Sequence, residues 1–140
     1  MKKSYRFILI AVLFIVIAGI VAALYTFNLK HKDLQKVKPD FVLSAEDLLK
    51  EFETDEIAAT NKYINKVLEI RGVIQSVNAG ENNALTISLK TGSDLSSVIC
   101  TLQGNPDPSA FKTGEPMTLR GECSGFLMDV LLNKCAVIPE

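Results

Sequence analysis

The sequence predicts a mainly β fold: a five-stranded Greek-key barrel with two short N-terminal helices, preceded by one transmembrane helix. Three observations carry this expectation. From Val67 onward, short stretches alternate apolar and polar residues, the period of half-buried strands. Clusters of Gly, Asn, Pro and Asp separate those stretches at short intervals. Ahead of them, Phe7 to Tyr25 reads FILIAVLFIVIAGIVAALY, with neither charge nor proline.

The apolar run comes first. At ~1.5 Å per residue it spans about the hydrocarbon core of a bilayer. A helix this apolar on all sides is a core helix only inside a larger protein. A cleaved signal peptide is the closer alternative, because Lys2, Lys3 and Arg6 form a basic start and Val21-Ala22-Ala23 offers small residues. The run exceeds the usual ~7–15 residue apolar segment of such leaders, so an uncleaved signal-anchor over 7–25 is favoured, behind a basic tail at 1–6. Lysines flank the far side too, at Lys30, Lys32, Lys36 and Lys38. The compact N-terminal cluster tips the orientation to a cytoplasmic N-terminus and an extracytoplasmic domain, a single-pass cell-membrane protein.

Residues 26–43 read as a polar, lysine-rich linker with Pro39 near its end, solvated or touching anionic head groups. The domain is expected over 44–140. Ser44 starts a helix with Glu46 and Asp47 in its first turn, and Leu48, Leu49 and Phe52 form its apolar stripe. Thr54-Asp55-Glu56 caps a second helix that carries Ile57, Ala58 and Tyr63, the pair covering about 45–64. Both are too short to stand alone in water and must pack on something.

Strands follow at about 67–77, 84–90, 97–102, 115–123 and 129–137. In the first, Leu68, Ile70, Gly72 and Ile74 share the inner face and Glu69, Arg71 and Gln75 the outer. Gly80 to Asn83 and Thr91 to Asp94 are turns, and Gly104 to Pro108 breaks the pattern. "LEIRG" in the first strand echoes "MTLRG" in the fourth. In a five-stranded Greek-key barrel these two strands pair antiparallel, and the structural glycines Gly72 and Gly121 let the sheet bend.

Several chemistries drop out. The one histidine, His31, lies in the linker, so no Ser-His-Asp or Cys-His arrangement exists in the domain. The carboxylates fall in caps, turns and outward strand positions, a solvated surface rather than an acid–base pair. No phosphate-cradling glycine loop is present, no cofactor is implied, and the domain is expected not to be an enzyme. Cys100, Cys123 and Cys135 lack metal-ligand spacing. They read either as three small buried hydrophobes or as one disulfide in an oxidising compartment. If the chain turns at Ser124–Met128, Cys123 lies on the order of 20 Å from Cys135, beyond disulfide reach. Cys100 with Cys135 is the candidate pair.

Charge bears on nucleic acid. From Asp40 on, eight Lys and Arg face fifteen Asp and Glu, a net charge of −7. The outward positions of the second and third strands are Thr86, Ser88, Lys90, Ile99 and Thr101, with no aromatic ring to stack a base. An anionic surface without rings repels a phosphate backbone, so nucleic acid is disfavoured as a partner.

The segments "ATNKYINKVLEIRGVIQSV", "TISL", "VICTL" and "FKTGEPMTLRGECSGFLMDVLLNKC" resemble the tRNA_anti-like family of OB-fold proteins, from about Ser44 to Pro139. The Lys-Tyr before the first strand, its glycine, Gly114 and the final Asp-Val-x-Leu-x-x-Cys are the most specific pieces. The resemblance implies an OB fold with a helical N-terminal extension, in a bacterial protein often exported or membrane-attached. The family's name points to nucleic acid, but by analogy of fold alone. The expected function is therefore a membrane-anchored, non-catalytic OB-fold module that binds a protein or an envelope saccharide. A single-stranded nucleic-acid-binding domain is the alternative. The expected contact surface is the barrel face with the loops Asn78–Asn83, Thr91–Ser96 and Gly125–Met128. Phe126, Leu127 and Met128 serve there either as core plug or as partner contact.

Overall fold

The computed structural model describes residues 2–28 and 33–139. Two units result, one ending at Lys32 and one beginning at Asp33. The first is a single helix, α1 (Lys2–Asn28), apolar on every side. Its stretch Lys3–Thr26 has a mean hydropathy of 3.3 and is long enough to cross a bilayer. His31 lies outside the described residues.

The second unit starts with a turn at Leu34–Lys36 and reaches β1 (Phe41–Ser44). Ser44 ends β1 and caps α2 (Ala45–Thr54), its Oγ accepting from the Asp47 amide at 3.0 Å. Ala45, Leu48, Leu49 and Phe52 fall on one face of α2 and are buried. Asp55 serves two helices. Its amide donates to the Glu51 carbonyl, ending α2, while its Oδ1 accepts from the Ala58 amide and starts α3 (Glu56–Tyr63).

The strands of the barrel are β2 (Val67–Ala79), β3 (Leu85–Leu89), β4 (Val98–Leu102), β5 (Pro116–Leu127) and β6 (Asp129–Ile138). Hydrogen bonding runs in the order β2-β3-β4-β6-β5 and closes through β2–β5. The five-stranded closed barrel expected from the alternation is therefore present, with β4 and β6 parallel and the other neighbours antiparallel. One strand was not expected: β1 lies parallel to β2, Phe41 opposite Leu68 and Ser44 opposite Arg71.

β2 changes neighbours along its length. Val67–Val73 pairs with β5, and Ile74–Ala79 pairs with β3 across a bulge at Gln75. Gly72 sits at the changeover, where an added Cβ would lie 3.2 Å from both Ala45 Cβ and Leu89 Cβ. Leu68–Gly72 and Met117–Gly121 pair along their whole length, so the two echoed glycines mark opposite ends of one ladder, Gly72 facing Met117 and Gly121 facing Leu68. Gly121 leaves room for a side chain: a Cβ there would collide with Cys135 Sγ. Leu68, Ile70, Ile87, Leu89, Leu119 and Leu132 fill the interior, each fully buried and contributing roughly 1.5–3 kcal/mol.

Candidate binding surface

Three regions of the barrel exterior carry chemistry: the β2–β5 wall, the β3–β4 wall and the end closed by α2.

The β2–β5 wall is covered. Arg120 on β5 faces Glu69 on β2, Nη2 to Oε2 at 2.6 Å, and both side chains are nearly buried at 13% and 12% exposure. The other guanidinium nitrogen, Nη1, donates to the backbone carbonyls of Leu34, Gln35 and Val37 at 3.2, 3.0 and 2.8 Å. Leu34 is 1% exposed, and Gln35 Nε2 donates to the Val137 carbonyl on β6. Residues 33–39 thus form a strap tied to the barrel by Arg120 and by Gln35. This corrects two expectations. Residues 26–43 are not a spacer throughout, because the strap and β1 belong to the barrel unit. Glu69, on the outer face as expected, is not solvated, because the strap lies over it. The Arg120 Nε is buried without a partner.

The β3–β4 wall is open and plain. Thr86, Ser88, Ile99 and Thr101 are half-buried on it, Thr86 opposite Thr101 and Ser88 opposite Ile99. The aromatic pairs lie elsewhere. Phe41 meets Tyr63 edge-on at 5.1 Å, Phe52 lies 6.0 Å from Tyr63, and Phe52 stacks on Phe126 at 5.3 Å. These rings hold β1, α2, α3 and β5 together.

Asp129 organises the end closed by α2. Its Oδ1 accepts from the Ser97 amide at 2.6 Å and the Ser97 hydroxyl at 3.0 Å, tying the β3–β4 loop to the β5–β6 turn. Thr91 Oγ1 donates to the Ser96 carbonyl at 2.6 Å and closes the loop on itself. Of the three loops expected to share a surface, Thr91–Ser96 and Gly125–Met128 meet here. The third does not, because the hairpin around Glu81–Asn83 sits at the other end of β3. Phe126 is half-buried against Phe52, whereas Leu127 and Met128 are 78% and 69% exposed. Leu95, on the neighbouring loop, is 84% exposed. Periodicity did not single it out, since it lies between strands.

A cleft of about 660 Å³ separates α2 from α3, lined by Asp47, Glu51, Asp55 and Lys62 among others. Lys62 Nζ bonds Glu51 Oε2 at 2.9 Å and lies 4.7 Å from the Tyr63 ring centroid. That bond holds the Glu51 carboxyl below its usual range, and burial pushes the Tyr63 phenol up. The bond ties the two short helices to each other across the cleft.

All three cysteines are buried inside the barrel. β5 runs on to Leu127, past the expected turn, so Cys123 lies opposite Leu132 rather than beside Asp129. The separation from Cys135 is therefore about three residues, on the order of 10 Å, and still too long for a bond. Cys135 lies opposite Leu102 on β4, two positions from Cys100, and the neighbouring Cys100 thiol, with burial, holds the Cys135 thiol well above its usual range; all three cysteines are free. Burial pushes the Cys123 thiol up to about 11.

No curated relative matches the sequence. Among solved structures, the barrel is similar to a "putative nucleic acid-binding lipoprotein" from Klebsiella pneumoniae, at 17% identity and a TM-score of 0.53, covering 69% of this chain and 91% of that one. It is also similar to the asparaginyl-tRNA synthetase of Entamoeba histolytica, at 9% identity and a TM-score of 0.46, but spans only 24% of that enzyme. At such identities the first likeness speaks for the fold, and the second carries no argument. The sequence itself is decisive: residues 1–137 match the tRNA_anti-like family model, and the chain belongs to the tRNA_anti-like family.

Proposed function

We propose that this protein is a membrane-tethered, extracytoplasmic binding module without catalysis of its own, and that its ligand is a protein or an envelope saccharide rather than a nucleic acid. α1 supports the tether, since Lys3–Thr26 has the length and hydropathy of a bilayer span. Lys2, Lys3 and Arg6 in its first turns favour a cytoplasmic N-terminus.

One observation carries the choice of ligand: the open β3–β4 wall presents Thr86, Ser88, Ile99 and Thr101 where single-strand binders present rings. The described aromatic pairs are spent on holding helices to the barrel. The net charge of −7 from Asp40 onward opposes a phosphate backbone on the same grounds.

Single-strand binding is the second reading, drawn from the name of the Klebsiella protein. Fluorescence anisotropy decides between them, with the full chain in phosphatidylcholine nanodiscs and single-stranded DNA and RNA as ligands. The expected result is no binding even at low salt. Affinity that falls steeply with added salt would establish the second reading instead.

A further inference from the structure

The α2-closed end of the barrel is built unlike the rest of the surface. Leu95, Leu127 and Met128 stand out into solvent there, on two loops locked together by Asp129. A solvated turn has no need of leucine and methionine at its tip. Met128 is also held at a φ of 68°, the left-handed region where glycine or asparagine is the ordinary choice. A bulky apolar side chain is therefore kept in a conformation that disfavours it, on a turn where it stays mostly exposed. Conformational strain of this kind is characteristic of sites retained for contact rather than for folding.

The surroundings specify what kind of contact. Asp94 adjoins Leu95 and Asp129 adjoins Met128. The Phe52–Phe126 stack brings the last turn of α2 to the same end, with exposed Glu53 beside Phe52 and exposed Asp55 and Glu56 following. Lys62, on α3, is already bonded to Glu51, while exposed Lys50 on α2 and exposed Lys90 before the Thr91–Ser96 loop leave the carboxylates in the majority. The apolar tip thus lies in an anionic frame. Anionic lipid and nucleic acid are repelled by such a frame, and a second copy of this domain would bring the same charge to the contact. A segment that alternates apolar and cationic side chains satisfies both parts at once.

Resting on the reading of this chain as a binding module, we propose that Leu95, Leu127 and Met128 form its docking surface for an apolar, lysine- or arginine-bearing segment of a protein partner. The apolar side chains supply the buried contact, and the surrounding carboxylates select cationic partners and reject anionic ones.

The test uses the full chain in phosphatidylcholine nanodiscs and a fluorescein-labelled peptide of alternating leucine and lysine, with empty nanodiscs as blank. The same peptide with glutamate for lysine is the charge control. The lysine peptide is expected to bind at least tenfold more tightly than the glutamate peptide, and to shift the methyl NMR signal of Met128 while leaving that of Met117. Met128→Gly removes the side chain at a backbone position suited to glycine, so the fold is kept, and binding should weaken about tenfold. Leu127→Ser should act in the same direction. Equal binding of both peptides, binding unchanged in Met128→Gly, or no binding would overturn the proposal. So would a Met128 shift produced by protein concentration alone, which indicates a second copy, or by phosphatidylglycerol in the disc, which indicates lipid. Oligonucleotide binding in the same discs would overturn the binding-module reading. Loss of peptide binding without oligonucleotide binding removes only this surface and leaves a saccharide or another protein face.

Discussion

Arg120 and Glu69 face each other across the β2–β5 ladder at 2.6 Å, and the same guanidinium holds three carbonyls of the strap. One residue thereby joins two barrel strands and a segment more than 80 positions earlier in the chain. A guanidinium suits this task because its planar donors can serve a carboxylate and carbonyls together.

Replacing Arg120 by methionine should destabilise the barrel by up to about 3–5 kcal/mol, because Glu69 is left nearly buried with only the exposed Arg71 guanidinium, at 3.7 Å, beside it. Replacing Glu69 by leucine in the same chain should recover much of that loss. It should not restore the strap, whose carbonyls still lack a donor. Urea melts read the first effect. Amide exchange at residues 34–37 reads the second, and unchanged protection there in the double variant would refute the clamp.

Gly121→Ala should cost more than Gly72→Ala. The new methyl at 121 collides with Cys135 Sγ inside a closed barrel, an overpacking expected to cost about 1–3 kcal/mol. At 72 the neighbours lie at 3.2 Å, and Ala45 on α2 can give way. Adding Cys135→Ala to the Gly121 variant should relieve the collision. Melting temperatures of the three variants check the order.

Phe126 and its neighbours should separate by stability. Phe126→Ala removes the stack on Phe52 and should cost about 2 kcal/mol, below the ~3–5 of a fully buried ring. Leu127→Ser should stay within about 0.5 kcal/mol. Met128→Gly should stabilise by about 1 kcal/mol, since it relieves a left-handed residue. A destabilised Met128→Gly protein in the same urea melts would contradict the conformation described.

The Cys123 thiol, raised to about 11, stays protonated at neutral pH and should resist alkylation until the barrel unfolds. Its contribution to stability has a defined window. It is full below the ordinary thiol range, where folded and unfolded chains are both protonated, and is lost as pH rises towards about 11. Denaturant melts across that alkaline range should fall more steeply for the natural protein than for Cys123→Ala.

The barrel was legible in the sequence because alternation is local. β2 through β6 each announce themselves within a few residues, and the paired glycines even disclosed which strands meet. The strap was not legible, because its one apolar anchor, Leu34, stands among lysines and its hydrogen bonds come from Arg120 far along the chain. β1 is four residues long and reads as the end of a linker. In the proposed contact surface, Leu127 and Met128 were visible as an apolar turn. Leu95 was not singled out, although its loop was expected on the same surface, since a residue between strands carries no periodicity.

The strap also decides where the molecule can be cut. An excised fragment beginning at Ser44 would carry every helix and barrel strand after β1, yet would lay Glu69 and Arg120 bare along one side. Recombinant versions meant for crystals or titrations should therefore open at Asp33, so that Leu34 travels with the cylinder it seals.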